Sequence, residues 1–471
     1  MALQEVMVPA HPLARLEPLI GAERAAALEQ AAALAREELA GHTVWNVNST
    51  ASGGGVAEML QVLLGYTRGA GLDVRWLVAA GDPEFFRITK RIHNRIHGMA
   101  GDDGGLGGAE HRHYDRVTGD NAAALVGSVH AGDIVLLHDP QTAGLVAPLR
   151  EHGAKVVWRC HIGADEPNEH TREAWSFLLP YIEPADSFVF SRRQHVPEGI
   201  DGRAHIIPPS IDPFAPKNRD LGDDDVARIV RSIGVVGGGG RGEPVTFQRR
   251  DGTEGHVVHT ASIVGGEPLD AALPVVVQVS RWDRLKDMEG VLRGFADGVA
   301  GRVDAQLALV GPSTEGVADD PEGAEVLASC TEAWKSLPRA QQDRIRLVSL
   351  PMDDVDENAV MVNALQRWST VVVQKSLAEG FGLTVAEGMW KAKPVVASAV
   401  GGIVDQVVPG TGVLLDDPCD LDAFADAVVD LLAEPARVHA LGEAARQHVS
   451  DAFVGDRHLM AYGALVQQLT S

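Results

Sequence analysis

Residues Val371–Ser398 read VVVQKSLAEGFGLTVAEGMWKAKPVVAS, and the punctuation of this stretch decides the fold class. Val371 to Val373 form a β-branched run, a glycine-marked loop follows, a short helix is expected from about Thr384, and a second strand opens at Pro394. A strand-helix-strand unit with strands this apolar belongs in a parallel sheet covered on both faces. Such sheets bind ligands beyond the carboxyl ends of their strands. The loop Lys375 to Leu383 lies at such an end, where Gly380 and Gly382 let backbone N–H groups approach a ligand. The helix start behind them offers partial positive charge to a phosphate. Glu379 and Glu387 frame the loop. For Glu387 two readings stand side by side: a ligand contact, or the closing member of a Thr384-x-x-Glu387 capping box.

Similar units recur on both sides. Thr43 to Asn48 reads as a strand, followed by Ser49-Thr-Ala-Ser-Gly53-Gly54-Gly55 and an apolar helix from Val56. The glycines suit close approach to an anion or to sugar hydroxyls, and equally a tight turn. Val74 to Val78 is a second strand, and Phe85 to His97 a basic helical stretch. In it His93 and His97 share a face without a third metal ligand at a recognisable spacing, and Lys90, His93 and Asn94 are candidate acceptor contacts. Gly101 to Gly108 reads as a flexible loop able to close over a substrate. Asp133 to Leu137 delivers His138 and Asp139, and Lys155 to Arg159 delivers His161, both at strand ends where such a sheet places its ligand.

The proline-rich segment Ile206 to Phe214 suits a hinge, so the domains are expected at 1–213 and 214–451. The terminal helix, about 452–471, is expected to cross back to the first. Residues 234–273 stand out as a glycine-rich insertion with a hairpin turn at Asp251-Gly252. After the strand Val275 to Val279, Arg281 and Lys286 precede a helix and can converge on one phosphate pair. Alternatively they simply pair with Asp283 and Asp287.

Bulk properties bound the function. The 471 residues suffice for two domains, and 65 Asp+Glu against 41 Lys+Arg give a formal charge of −24. That surface repels nucleic acid and anionic membrane, so a bound phosphate needs a local basic cluster. Three dispersed cysteines, Cys160, Cys330 and Cys419, fit a reducing cytoplasm better than a disulfide framework. No apolar leader or bilayer-length run is evident.

The strings NSTASGGGVAEML, TKRIHN, HDPQ, WRCHI, PPSIDP, DDPEG, EGFGLTVAEGMWKAKPV and AVGGI together resemble the retaining glycosyltransferases of family 4, closest to the trehalose-forming glycosyltransferring synthases. The resemblance implies a GT-B fold, α/β, with two Rossmann-like domains facing a central cleft. It further implies transfer of α-glucosyl from a nucleoside-diphosphate glucose, UDP- or ADP-glucose, to glucose with retention. The E-x7-E pattern places Glu379, Gly380, Phe381, Gly382 and Leu383 on the donor sugar and Glu387 on the ribose. By the same resemblance Arg281 and Lys286 neutralise the leaving diphosphate and His161 lies beside the reacting sugar, all three counted as catalytic. Gly53, Gly54, Gly55, His138 and Asp139 line the acceptor and phosphate loop. No metal is required, Mg2+ being at most a stimulant. The expected partners are the nucleotide sugar and a small sugar acceptor, with a homodimer unsurprising. Two readings stand beside this one: the same donor with an inositol phosphate or glycan acceptor, and a sugar-nucleotide-binding protein without turnover.

Overall fold

The computed structural model describes residues 3–51, 55–102, 104–238, 244–314 and 321–470. The chain divides into two compact units. The first comprises Met1–Ser210, Glu379–Phe381 and Phe453–Ser471, and the second Ile211–Ala378 and Gly382–Ala452.

The sheet of the first unit contains β1 (Gln4–Val6), β2 (Val44–Asn48), β3 (Val74–Val78), β4 (Ile134–His138), β5 (Lys155–Cys160), β6 (Ser187–Phe190) and β7 (Ala204–Ile206), in the order β1-β3-β2-β4-β5-β6-β7. Only β1 runs antiparallel. Along β4 the side chains alternate between two cores, Val135 and Leu137 on one face and Ile134 and Leu136 on the other. Full burial of each such side chain contributes about 1.5–3 kcal/mol, so a run that is apolar on both sides is stable only in the middle of a layered domain.

In the second unit a hairpin of β8 (Thr246–Gln248) and β9 (Glu254–His256) precedes a seven-stranded sheet. Its strands are β10 (Ser262–Val264), β11 (Val275–Val279), β12 (Gln306–Pro312), β13 (Ile345–Leu350), β14 (Val371–Gln374), β15 (Val395–Ser398) and β16 (Gly412–Leu415), ordered β10-β13-β12-β11-β14-β15-β16. All but β10 are parallel. Val276, Leu307 and Val373 face one core, and Val275, Val277 and Val310 face the other.

Both orders reverse at one point. In the first unit the chain goes from β2 outward to β3 and returns to β4 on the other side. In the second it goes from β11 through β12 to β13 and returns to β14. The loops after β2 and β4, and those after β11 and β14, therefore diverge, and each pair leaves a crevice at the carboxyl edge. These are the loops that carry most of the candidate residues.

Two local expectations change, the capping box and the flexible loop, and the insertion gains partners. The helix expected from Thr384 begins at Leu383, with Gly382 as its N-cap in the left-handed region (φ 83°). Thr384 is thus inside the helix, and its hydroxyl donates to Gln374 Oε1 at 2.9 Å, so the capping box with Glu387 does not form. The glycine loop 101–108, read as flexible, is tied down in its described part. Arg91 binds Asp102 and the Gly105 carbonyl, and Arg95 donates to Ala100 O and Gly104 O at 3.2 and 2.7 Å. The insertion carries the hairpin expected at Asp251-Gly252 and is docked. Arg249 and Arg250 pair with Asp354 and Asp356, and the N–H groups of Val258 and His259 cap Glu357, at the start of the helix Val355–Trp368. β10 extends the sheet beside β13.

Candidate active site

In the second unit, the loops after β11 and β14 are stitched together by backbone and buried side chains. Gln278 is fully buried in β11; its Nε2 donates to Lys286 O at 2.7 Å and its Oε1 accepts from Lys375 N–H at 3.2 Å. Leu377 N–H donates to Leu285 O at 2.8 Å. The ammonium of Lys375, itself fully buried, lies on the Asp287 carboxylate and on Pro418 O. Asp287 (φ 47°) caps the following helix through Gly290 N–H at 3.2 Å. Lys286, half-buried, is thereby held between two anchored neighbours, next to the loop that leads into the Leu383–Trp390 helix.

Arg281 makes one of the pairings weighed beside convergence with Lys286 on a phosphate. Its guanidinium pairs with Asp283 (Nη2 to Oδ2, 2.7 Å), and its side chain is 52% exposed. Asp283 in turn caps the turn Arg284–Lys286 through Leu285 N–H at 2.9 Å. One of the two pairings weighed for these cations therefore forms, while Asp287 goes to Lys375 rather than to Lys286.

Glu387 is buried in the middle of its helix. Its Oε1 lies 3.0 Å from Lys217 Nζ, and Lys391 Nζ donates to the Glu387 carbonyl at 3.0 Å and to Asn218 Oδ1 at 3.1 Å. Desolvation pulls the Lys391 ammonium down to about 7. Glu387 carries its carboxylate beside the Lys217 ammonium, and carboxylate oxygens are suited to accept hydrogen bonds from vicinal hydroxyls.

In the first unit, His138 is buried at the end of β4, with Asn46 of β2 beneath it (His138 Nε2 to Asn46 Oδ1, 3.1 Å). Its Nδ1 is 3.0 Å from His161 Nε2, and the two rings stack at 12°. Arg159 Nε donates to His161 Nδ1 at 3.3 Å, and Asp139 Oδ1 accepts the His161 N–H at 2.8 Å. Both ring nitrogens of His161 are thus engaged by the protein. What His161 presents instead is its backbone: a Cβ added at Gly380 would lie 2.4 Å from the His161 carbonyl oxygen. Only glycine fits there. Phe381 packs edge-on against Phe453, with ring centroids 5.6 Å apart. Glu379 and Leu383 are half-buried, and Gly55 opens the helix Gly55–Gly69. Gly53 and Gly54 lie outside the described residues.

Three described non-glycine residues have positive φ, and two of them, Asp139 and Asp287, sit on these loops. Strain of this kind persists where the surroundings over-determine it, as at binding sites. Desolvation pushes the Asp139 carboxyl up to about 7, against the pull of the His161 N–H and of Arg159. A carboxyl whose folded pKa exceeds its unfolded value binds extra proton on folding. Its contribution to stability is therefore greatest at low pH and is lost as pH rises through the folded value. Asp139→Asn cannot ionise, so the melting temperature of the variant relative to wild type is expected to rise between about pH 5 and about pH 8. A difference that stays constant over that range would mean the carboxyl titrates normally.

His93 and His97, four apart, contact each other edge-on with centroids 5.0 Å apart. Among the described residues no group of three His, Cys, Asp or Glu side chains is placed to hold a metal ion. No described helix is long and apolar enough to cross a membrane.

Sequence reasoning missed Asn46, Arg159, Lys217, Gln278 and Lys375. A signal existed for most of them: a lone polar residue inside an aliphatic run close to its carboxyl end, as in VWNVN, VVWRC and VVVQV, is costly to bury without a purpose.

Two family models match: "Trehalose synthase, N-terminal domain" over residues 46–197 and "Glycosyl transferases group 1" over residues 265–448. The trehalose synthase of Rubrobacter xylanophilus is 35% identical over 425 residues, 89% of either chain. That of Pyrococcus horikoshii is 33% identical over 96% of this chain and 95% of its own. A trehalose phosphorylase of Pleurotus pulmonarius is 28% identical over 86% of this chain but 54% of its own. Among solved structures, the UDP-forming α,α-trehalose-phosphate synthase of Burkholderia xenovorans, in complex with glucose-6-phosphate, superposes with a TM-score of 0.65 at 16% identity. It covers 92% of this chain and all of that one, a likeness of fold.

Proposed function

The chain belongs to the trehalose synthase family and is a GT-B glycosyltransferase, and on that premise we propose that it transfers α-glucosyl from a nucleoside-diphosphate glucose to the anomeric hydroxyl of glucose, with retention, forming trehalose in the cytoplasm. The observation that carries this reading is the stitched pair of loops after β11 and β14, which holds Lys286 beside Lys375 to Leu377, on the loop that leads to the Leu383–Trp390 helix, at the switch point of the sheet. A cation, a helix N-terminus and glycine N–H groups together form an environment for a diphosphate.

In this reading the glucosyl–oxygen bond to the β-phosphate breaks as the acceptor hydroxyl attacks from the same face. Its proton passes to the departing phosphate oxygen. Lys286, Arg281 and the helix N-terminus stabilise the charge that gathers there. Glu387, paired with Lys217, receives the ribose hydroxyls, and Glu379 with Gly380 to Leu383 receives the donor hexose. His138, Asp139 and the backbone of His161 shape the acceptor side.

Glu387→Ala is expected to raise the KM for the nucleotide sugar about 10–100-fold while kcat changes less than about threefold, because the lost contact is made equally in ground and transition states. An unchanged donor KM would show that this carboxylate serves only the fold.

The phosphorylase relatives favour a second reading, in which the donor is a glucose 1-phosphate and no nucleotide is read. Incubation with a panel of nucleoside-diphosphate glucoses and with glucose 1-phosphate, each with glucose and with other acceptors, separates the two. Trehalose identified by mass and linkage, with release of a nucleoside diphosphate, supports the first. Product only from glucose 1-phosphate overturns it.

A further inference from the structure

Arg159 has no exposed surface, yet the hydrogen-bond acceptors around it are all neutral. They are His161 Nδ1 (3.3 Å from Nε), His458 Nε2 (3.4 Å from Nη1), the Tyr462 hydroxyl, also on Nη1, and Ile207 O (3.2 Å from Nη2). The guanidinium also lies over the Tyr462 ring, 5.5 Å from its centroid. Burying a fixed cation is costly, so the sequence keeps it against a steady loss of stability.

Arginine has no acceptor and does not deprotonate, so its direction of donation is certain, whereas that of a histidine is set by its neighbours. Donation from Arg159 Nε requires a bare His161 Nδ1. Neutral His161 then carries its proton on Nε2 and donates it to His138 Nδ1, and His138 must carry its own proton on Nε2, facing Asn46 Oδ1. The chain of bonds runs one way only. We propose that Arg159 is a positioning residue of the transfer reaction: it fixes the tautomers of His161 and His138 and, by gripping His458 and Tyr462, makes the helix Gly455–Thr470 part of the acceptor-side wall. This rests on the transferase reading for its catalytic consequence.

The charged and titratable groups beside the histidine pair are Arg159 from β5, Asp139 after β4 and His458 from the C-terminal helix, with Tyr462 joined to them through Arg159. Desolvation, aided by Arg159, pulls His138 down to about 3 and His161 well below the ordinary range, so both rings stay neutral in physiological conditions. A protonated His161 would lose the acceptor that Arg159 addresses, and the chain would break at its first link.

The test uses the intact protein labelled with 15N-histidine, with His138→Gln and His161→Gln assigning the signals. In the wild type both rings should show bare Nδ1 and protonated Nε2 from about pH 6 to about pH 8, without titration. In Arg159→Met, His161 should lose its fixed tautomer, with signal appearing for protonated Nδ1, and its pKa should rise while burial still holds it below the ordinary range. Its kcat should gain an acid limb and fall about tenfold or more at neutral pH, with donor KM within about twofold. Arg159→Lys, which keeps the charge without the planar fork, should hold the flat profile at a reduced kcat. A wild-type spectrum with protonated His161 Nδ1 overturns the proposal, and that measurement needs no variant to fold. A His161 tautomer that is unchanged in Arg159→Met overturns it as well. If the wild type transfers nothing from any donor, the function proposed above falls and takes the catalytic consequence with it, while the tautomer assignment can still stand. A wrong tautomer in an active enzyme sinks the present inference alone.

Discussion

Lys286→Ala is expected to lower kcat by on the order of 10²–10³-fold, equivalent to about 2.7–4 kcal/mol of transition-state stabilisation. The magnitude follows from preorganisation. The Lys286 carbonyl is bound by Gln278, and the preceding carbonyl, of Leu285, by Leu377 N–H; the following Asp287 is clamped by Lys375. A charge fixed in that way costs no reorganisation as the phosphate leaves, and its effect falls mainly on the transition state. Donor KM should therefore change less than kcat. Steady-state kinetics with the preferred nucleotide sugar provide the measurement. A kcat within tenfold of wild type would remove Lys286 from the reaction and leave Arg281 as the cation to examine.

Lys375→Met should be the most destabilising single change on these loops, by about 3 kcal/mol, towards the lower end of the cost of breaking a buried ion pair because Asp287 remains 21% exposed. Methionine fills the space of the lysine stem but leaves a carboxylate without its ammonium and Pro418 O without its donor. Asp287→Asn in the same chain removes the stranded charge and should recover at least about 1 kcal/mol in a double-mutant cycle. The shift in urea midpoint reads both effects. If the single variant loses less than about 1 kcal/mol, or the double variant is no better, the pair is not the clamp described. Because Asp287 directly follows Lys286, a confirmed loss of stability should come with a lower kcat.

The fold class was legible because its evidence is local. Runs such as Val371–Val373 and Val275–Val279, each followed by a loop and a helical pattern, specify parallel strands buried on both faces, and the family likeness bears out the GT-B assignment. The recurring strings likewise identified the family. Side-chain partners were much less legible. Whether Arg281 meets Asp283 or Lys286, or whether Glu387 closes a capping box or meets Lys217, depends on a loop register that spacing does not encode. Gly382 as N-cap sits two residues before Thr384, and that alone removes Thr384 from the capping position. Arg159 was invisible for a different reason. Its partners His458 and Tyr462 lie 299 and 303 residues away, beyond the reach of any local pattern.

That separation bears on how the polypeptide is made. Arg24 meets Asp456 across 432 residues, and Arg159 meets its partners across some three hundred. A ribosome emitting the first sheet therefore exposes a guanidinium and an apolar flank whose cover has not yet been synthesised. The slow, late closure of such a loop is entropically demanding. The apolar flank of the nascent first unit thus stays uncovered until the segment around Tyr462 emerges.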